Sequence, residues 1–295
     1  MDNLQQDLKD VMEEKSFSLT AVGKHLGIST ATLSQWLGGI YPGNVAKIDD
    51  AVRSFLGLER ERSQASKKTI DFVMTSIAMT VFEISRICHV DGDIGVCYGD
   101  SGLGKTVAIK EYARRNNDVI LIEADLGFMS KVLFSEIHKR LGMDGKGSIH
   151  DMFEEVIARL KGSGRLIIID EAEHLPYKAL ELLRRVYDKA GVGILLIGMP
   201  RLLFNLRGQK GDFIQLYSRV GIAKKLERLK DQDAQDIVSS VLPSSNGTWK
   251  SFQEHSHGNT RVLSKLLLRS IRIAEINNVQ VTPDIIRETA SMLII

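Results

Sequence analysis

Apolar residues change their spacing twice along the chain. Over residues 1–56 they recur at helical intervals in short segments broken by tight turns. From about 69 to 228 they gather into continuous runs, "DIGVCYG", "VILIEA", "RLIIID" and "VGILLIG", each followed by a longer amphipathic stretch. Unbroken apolar runs of this length predict strands of a parallel sheet covered on both faces. The stretches between them predict helices near 107–115, 131–141, 149–160 and 177–189, hence a doubly wound α/β core. After 229 the strands stop. "DQDAQDIVSSVL", "WKSFQEHS", "NTRVLSKLLLRSIRIAEI" and "TPDIIRETASML" start at or near Asp, Thr or Asn and keep helical spacing, which predicts a small all-helical lid.

Residues 57–68, "GLERERSQASKK", carry hardly an apolar side chain and read as a linker or an exposed helix extension. The expected organisation is therefore a head over 1–56, a linker over 57–68, an α/β core over 69–228 and a helical lid over 229–295. No internal repeat or low-complexity tract interrupts it.

Composition narrows the class. At 295 residues, 43% hydrophobic and 26% charged, the chain is an ordinary globular mixture with room for two or three domains. A net charge of +2 means that any affinity for nucleic acid must come from local basic patches. Cys88 and Cys97 cannot form a disulfide framework; both sit among apolar residues and are expected as reduced, buried thiols. The N-terminus lacks the pattern of a secretory signal. The most apolar helical stretch, 69–88, contains Asp71, Glu83 and Arg86 and is a poor membrane span, so a cytoplasmic protein is expected.

The chemistry begins at "GDSGLGKT", residues 99–106, which fits G-x-x-x-x-G-K-[ST] between an expected strand and an expected helix. Gly99, Gly102 and Gly104 let the backbone bend so that N–H groups of Asp100, Ser101, Leu103 and their neighbours can point at phosphate oxygens. The helix start at Lys105, Thr106 and Val107 adds partial positive charge. Lys105 is suited to the β and γ phosphates of ATP, and the Thr106 hydroxyl to Mg²⁺. "RLIIIDEAEHL" places Asp170 and Glu171 at the tip of an apolar strand, Asp170 to reach the metal through water and Glu171 to orient and deprotonate an attacking water. His174 reads as a capping or packing residue.

The head carries "LTAVGKHLGISTATLSQWLGG", the pattern of a helix-turn-helix. Val22, Leu26, Ile28, Leu33 and Trp36 supply the apolar contacts, Gly23 the close approach and Gly27 the turn. Ser29 is a good N-cap for a recognition helix whose outward side chains are Thr30, Ala31, Thr32, Ser34 and Gln35. With Lys24 and Lys47 these can contact phosphates and base edges, but no arginine is placed to grip guanine, so strong sequence specificity is not expected.

With "GDSGLGKT", "IIIDEAEHL", "LYSRVG" and "HGNTRVLSKLL" in this order, the chain resembles the AAA+ ATPases. The resemblance implies assembly into rings or helical filaments with the active site at the subunit junction. It makes Arg219 an arginine finger for a neighbour's γ-phosphate and Arg261 a second sensor acting in cis. The chain departs from that family at Met199 and Pro200, where a polar sensor residue is usual; Asn205 or another group would have to substitute. The order of head, charged segment, core and lid, with "IKEYARRNNDV" and "DEAEHL", resembles the ATP-dependent target-DNA-binding B proteins of Mu-like transposing phages over most of the chain.

That resemblance implies ATP-promoted oligomerisation on double-stranded DNA with little sequence preference, delivery of target DNA to a transposase, and release on hydrolysis, in the host cytoplasm. It directs attention to Lys131, Lys139, Arg140 and Lys146 as DNA contacts of the core, and to "LLLRSIRIAE" (266–275) as a contact for DNA or transposase. Three other readings remain open: an ATP-dependent transcription regulator, a helicase-loading ATPase and a nucleotide-gated scaffold.

Overall fold

The computed structural model describes residues 4–65, 69–207, 217–243 and 247–293. Two compact units divide after Thr69. The first holds helices α1 (Leu4–Glu14), α2 (Leu19–Leu26), α3 (Thr30–Leu37) and α4 (Val45–Ala65). Ser18 and Ser29 cap α2 and α3 by accepting the N–H groups of Ala21 and Thr32. Gly27, at φ +67°, turns the chain between them in the left-handed conformation that only glycine adopts without strain. Leu8, Val22, Leu33, Trp36, Ile48 and Val52 form the core, and the Trp36 indole N–H donates to Asp49 Oδ1 at 2.8 Å.

Of the two readings open for this segment, linker or helix extension, residues 57–65 take the second: they continue α4. The polar texture is misleading there because Glu59 is buried against the helix layer and bonded by Lys15 Nζ at 2.6 Å. That ammonium, helped by Arg62, holds the Glu59 carboxyl below the usual carboxylate range.

The second unit is a covered parallel sheet with a helical lid. Its elements are α5 (Ser76–Asp91), β1 (Ile94–Tyr98), α6 (Lys105–Arg115), β2 (Val119–Glu123), α7 (Ser130–Arg140), α8 (Ile149–Leu160) and β3 (Leu166–Asp170). There follow α9 (Tyr177–Ala190), β4 (Gly193–Gly198), α10 (Arg201–Arg207) and β5 (Val220–Lys225). The lid contains α11 (Asp231–Val241), α12 (Trp249–Ser256), α13 (Thr260–Ile276) and α14 (Pro283–Ser291).

Among the described residues the strand order is β2-β3-β4-β1-β5, all neighbours parallel. Alternate residues of β3 serve opposite faces. Ile167 and Ile169 join the layer with Phe134, Met152 and Leu183, while Leu166 and Ile168 join the layer with Val81, Ile109 and Leu267. Both faces are dry, which is why the strand reads as an unbroken apolar run. The chain leaves β1 for the far edge of the sheet and returns strand by strand, so a crevice opens at the carboxyl ends beside β1, where open α/β sheets place ligands. The lid is tied on by buried Asp233, which accepts from Ser76 N and Ser76 Oγ, each at 2.6 Å, at the start of α5. Among the described residues, no helix is long and apolar enough to cross a membrane.

Candidate nucleotide site

The loop 99–104 leaves β1 and enters α6 with Gly102 at φ +82° and Gly104 at φ +87°. Gly104 is the N-cap of α6 and offers no side-chain bond to its free amides, so the helix start stays open to an anion. At the end of β3, two strands along the sheet from β1, Asp170 is 2% exposed. Thr106 Oγ1 donates to its Oδ2 at 2.6 Å and the Glu171 N–H to its Oδ1 at 3.0 Å. Glu171 sits at φ +51°, a conformation costly for a residue with a side chain, and this turn leaves its carboxylate half exposed at the crevice.

A cavity of about 310 Å³ lies over these groups, lined by 101–107, Asp170, Glu171, Glu173 and His174, and closed from the lid by Thr260, Arg261 and Ser264. A second cavity of about 190 Å³ shares Leu103, Gly104, Val107, Thr260 and Ser264 with it and is otherwise largely apolar, with Ile70, Phe72, Val73, Ala78 and Ile237 in its walls. A phosphate cradle continuous with a slot of this chemistry suits a purine nucleotide.

The electrostatics suit a polyanion and a cation bound together. Burial pushes the Lys105 ammonium below its ordinary value. Burial pushes Asp170 up, against the hydrogen bonds from Thr106 and Glu171. Lys105 Nζ meanwhile donates to the carbonyls of Gly99 and Asp100, each at 2.7 Å. The buried Thr260 Oγ1 and His174 Nδ1 have no hydrogen-bond partner among the described residues, and both residues line the cavity. Phosphate or ribose oxygens would relieve the cost of leaving them unpaired. Thr106 and Asp170 offer a metal only two protein donors, which fits a Mg²⁺ that keeps waters and phosphate oxygens as its other ligands.

A family description reading "AAA domain" matches residues 89–206, from the end of α5 to the end of α10. Over these residues the chain is similar to AAA domains. It is 28% identical over 239 residues to the Mu-like prophage FluMu DNA transposition protein B of Haemophilus influenzae, covering 79% of this chain and 83% of that protein. It is 27% identical over 243 residues to the ATP-dependent target DNA activator B of Escherichia phage Mu, covering 81% and 77%. The resemblance to B transposition proteins is thus present along most of the sequence. Among solved structures, the ORC2 protein of Aeropyrum pernix with ADPNP and ADP superposes with a TM-score of 0.57 at 18% identity, covering 74% of this chain and 68% of that one. Its likeness is one of fold.

The remaining site candidates fall in distinct places. Gly99 and Asp100 lie behind the cradle, where their carbonyls receive Lys105. Asn205, considered as a substitute sensor, does not line the cavity; its amide donates to the Glu173 carbonyl at 3.0 Å. Glu173, which the sequence did not single out, takes the space beside β4 instead. Its carboxylate accepts the Met199 N–H at 3.2 Å and fits only because Gly198 has no side chain, since a Cβ there would lie 2.1 Å from Glu173 Oε2. His174, expected as a capping or packing residue, lines the cavity, with Nε2 3.7 Å from Glu171 Oε2. Arg261 lines the cavity and donates to Ser101 Oγ at 3.3 Å. Arg219 does not line its own cavity; it is half exposed and its Nε donates to Asp188 Oδ1 at 3.0 Å.

The basic candidates are mostly exposed. Lys131 and Arg140 stand at the two ends of α7, and Lys146 lies in the following loop. Lys139 is held by Glu136 at 2.7 Å. The loop is pinned to α7 through Gly145, whose carbonyl accepts from Ser135 Oγ at 2.7 Å and whose N–H donates to His138 Nδ1 at 3.0 Å. In the first unit Lys24, Thr30, Ser34 and Gln35 are exposed, whereas the Thr32 hydroxyl is engaged with Ser29 Oγ at 2.8 Å.

Proposed function

We propose that the chain is an ATP-dependent DNA-binding ATPase of transposition. It oligomerises on target duplex with little sequence preference, presents that duplex to a transposase and stimulates strand transfer, and hydrolysis releases it. What carries the reading is the alignment of 81% of the chain with a protein named as an ATP-dependent target DNA activator, together with the built nucleotide site.

In this reading the amides of 101–106 and Lys105 bind the phosphates, Thr106 and Asp170 hold Mg²⁺, and Arg261 contacts the nucleotide from the lid. Mg²⁺ supplies neutralisation of charge on the β and γ phosphates. Glu171 orients the attacking water and accepts its proton. Arg219, outside its own cavity and exposed, reaches the γ-phosphate of an adjoining copy, so hydrolysis requires the oligomer. Lys24, Thr30, Thr32, Ser34 and Gln35 of a helix-turn-helix, with Lys131, Lys139, Arg140 and Lys146 of the core, contact DNA. The absence of arginine on the exposed face of α3 argues for backbone contacts over base readout. Repetition along a filament turns such weak contacts into firm binding.

Electron microscopy with long nonspecific duplex, in ATP, in ADP and without nucleotide, tests the proposal. Length-dependent coating in ATP alone is expected. A discrete footprint at one sequence would favour a transcription regulator, and no coating in any state would overturn the proposal.

A further inference from the structure

A phosphate-binding loop that aims its N–H groups inward must turn its carbonyls outward, and each outward carbonyl needs a partner. In this loop four consecutive carbonyls are accounted for. Those of Gly99 and Asp100 accept from Lys105 Nζ. Those of Ser101 and Gly102 accept from the lid: Asn259 Nδ2 donates to Ser101 O at 3.0 Å, and the Arg261 N–H donates to Gly102 O at 3.0 Å. Asn259 is also the N-cap of α13, its Oδ1 accepting from Arg261 N at 3.0 Å and Val262 N at 3.1 Å. The fit is close, because a Cβ on Gly102 would lie 2.3 Å from Asn259 Oδ1.

We propose that Asn259 is a positioning residue for nucleotide binding: its amide bolts the lid to the back of the loop and holds the Ser101 carbonyl outward, so that the cradle is formed before nucleotide arrives. The inference rests on the nucleotide reading of the cavity and adds to it a mechanical link. The two oxygens held by Lys105 lose their partner when that ammonium turns to phosphate. The two held by the lid keep theirs, so the lid bonds are the part of the scaffold that persists through binding. Loop and first turn of α13 then move as one piece, and any displacement of the lid is felt at the phosphates.

The two ends of the side chain separate the link from the cap. Asn259→Asp and Asn259→Ser keep an oxygen able to cap α13 but lose the donor to Ser101; the serine variant adds no charge. Asn259→Ala loses both. In the full-length chain both capping variants are expected to keep the parent's thermal transition, while Asn259→Ala melts earlier. Without nucleotide, amide hydrogen exchange over residues 99–106 should accelerate in all three. Titration with fluorescent ATP and ADP analogues should give affinities weakened by about tenfold in the capping variants, the effect of one lost hydrogen bond. Their kcat at saturating ATP should change less than KM does.

Parent-like exchange and affinity in Asn259→Asp and Asn259→Ser would overturn the proposal. So would a fall in melting temperature in those variants equal to that of Asn259→Ala, since Asn259 would then act only as a cap. A parent chain that binds no ATP would instead overturn the nucleotide reading, and the exchange experiment would still report the bond between lid and loop.

Discussion

The Thr106 hydroxyl donates to Asp170 Oδ2 at 2.6 Å, joining the start of α6 to the end of β3 across 64 residues of sequence. The bond aligns two oxygen donors for a metal on a carboxyl whose ionisation burial opposes. A raised carboxyl binds its proton more tightly in the folded chain than in the unfolded one. Its contribution to stability is present below the unfolded value and is lost as pH rises through the folded value. Asp170→Asn should therefore melt above the parent at pH 8 without nucleotide. The gap should close below about pH 4. The same variant should lose Mg²⁺-dependent phosphate release. Thermal melts across pH, paired with an ATPase assay, check both halves.

Lys105→Ala removes the cation of the cradle. ATP affinity should fall by about a hundredfold or more, as expected when a buried charge-assisted contact to phosphate is lost. DNA coating in ATP should disappear while the far-ultraviolet helical signal stays. Coating at the parent's level would mean that nucleotide does not govern assembly.

Glu171→Gln keeps the shape of the side chain and removes its basicity. Steady-state hydrolysis should drop by about 10²- to 10⁴-fold, the usual contribution of a positioned base. Nucleotide titrations should match the parent within about threefold, since the lost proton transfer is felt in the transition state alone. Protein bound to DNA in ATP should persist after dilution, and prompt dissociation would contradict the role given to Glu171.

Arg219 is paired with Asp188 of its own chain, outside its own cavity. Arg219→Ala should bind ATP normally and hydrolyse it poorly. Mixing it with Lys105→Ala, which brings an intact Arg219 but no cradle, should restore part of the activity. An additive response in the mixture would place Arg219 outside the partner's site.

Cys88 and Cys97 are both buried, and burial pushes each thiol up to about 12. At pH 8 the thiolate fraction of such a group is roughly one in ten thousand, and the thiolate is the reactive form. A disulfide reagent should leave the native chain untouched for hours and titrate two thiols once denaturant is added. Fast labelling of the native chain would show that the layer between α5 and the sheet opens.

The sheet and the cradle were legible because their constraints are local. A strand dry on both faces can only be spelled as an apolar run, as in Leu166–Asp170, and a loop that wraps phosphate needs its glycines at fixed spacing. What sequence order concealed is what distant segments do to one another. Glu173 reads as one more acidic residue until β4 brings Gly198 against it. Asn259 reads as a helix cap, which it is, but its second bond goes to a residue 158 positions away. Ile70, Phe72 and Val73 have no periodicity, and only the fold makes them walls of a slot. Residues 57–65 show the converse: their polar texture left linker and helix extension both open, and the helix packs because Glu59 finds Lys15.

The ammonium of Lys105 rests on two carbonyl oxygens of its own loop. Any incoming anion has to compete with those dipoles before it gains the charge. A chain of phosphates is long enough to engage the ammonium and the loop amides together. The loop's own dipoles thus hold the charge in place until a longer guest takes it over.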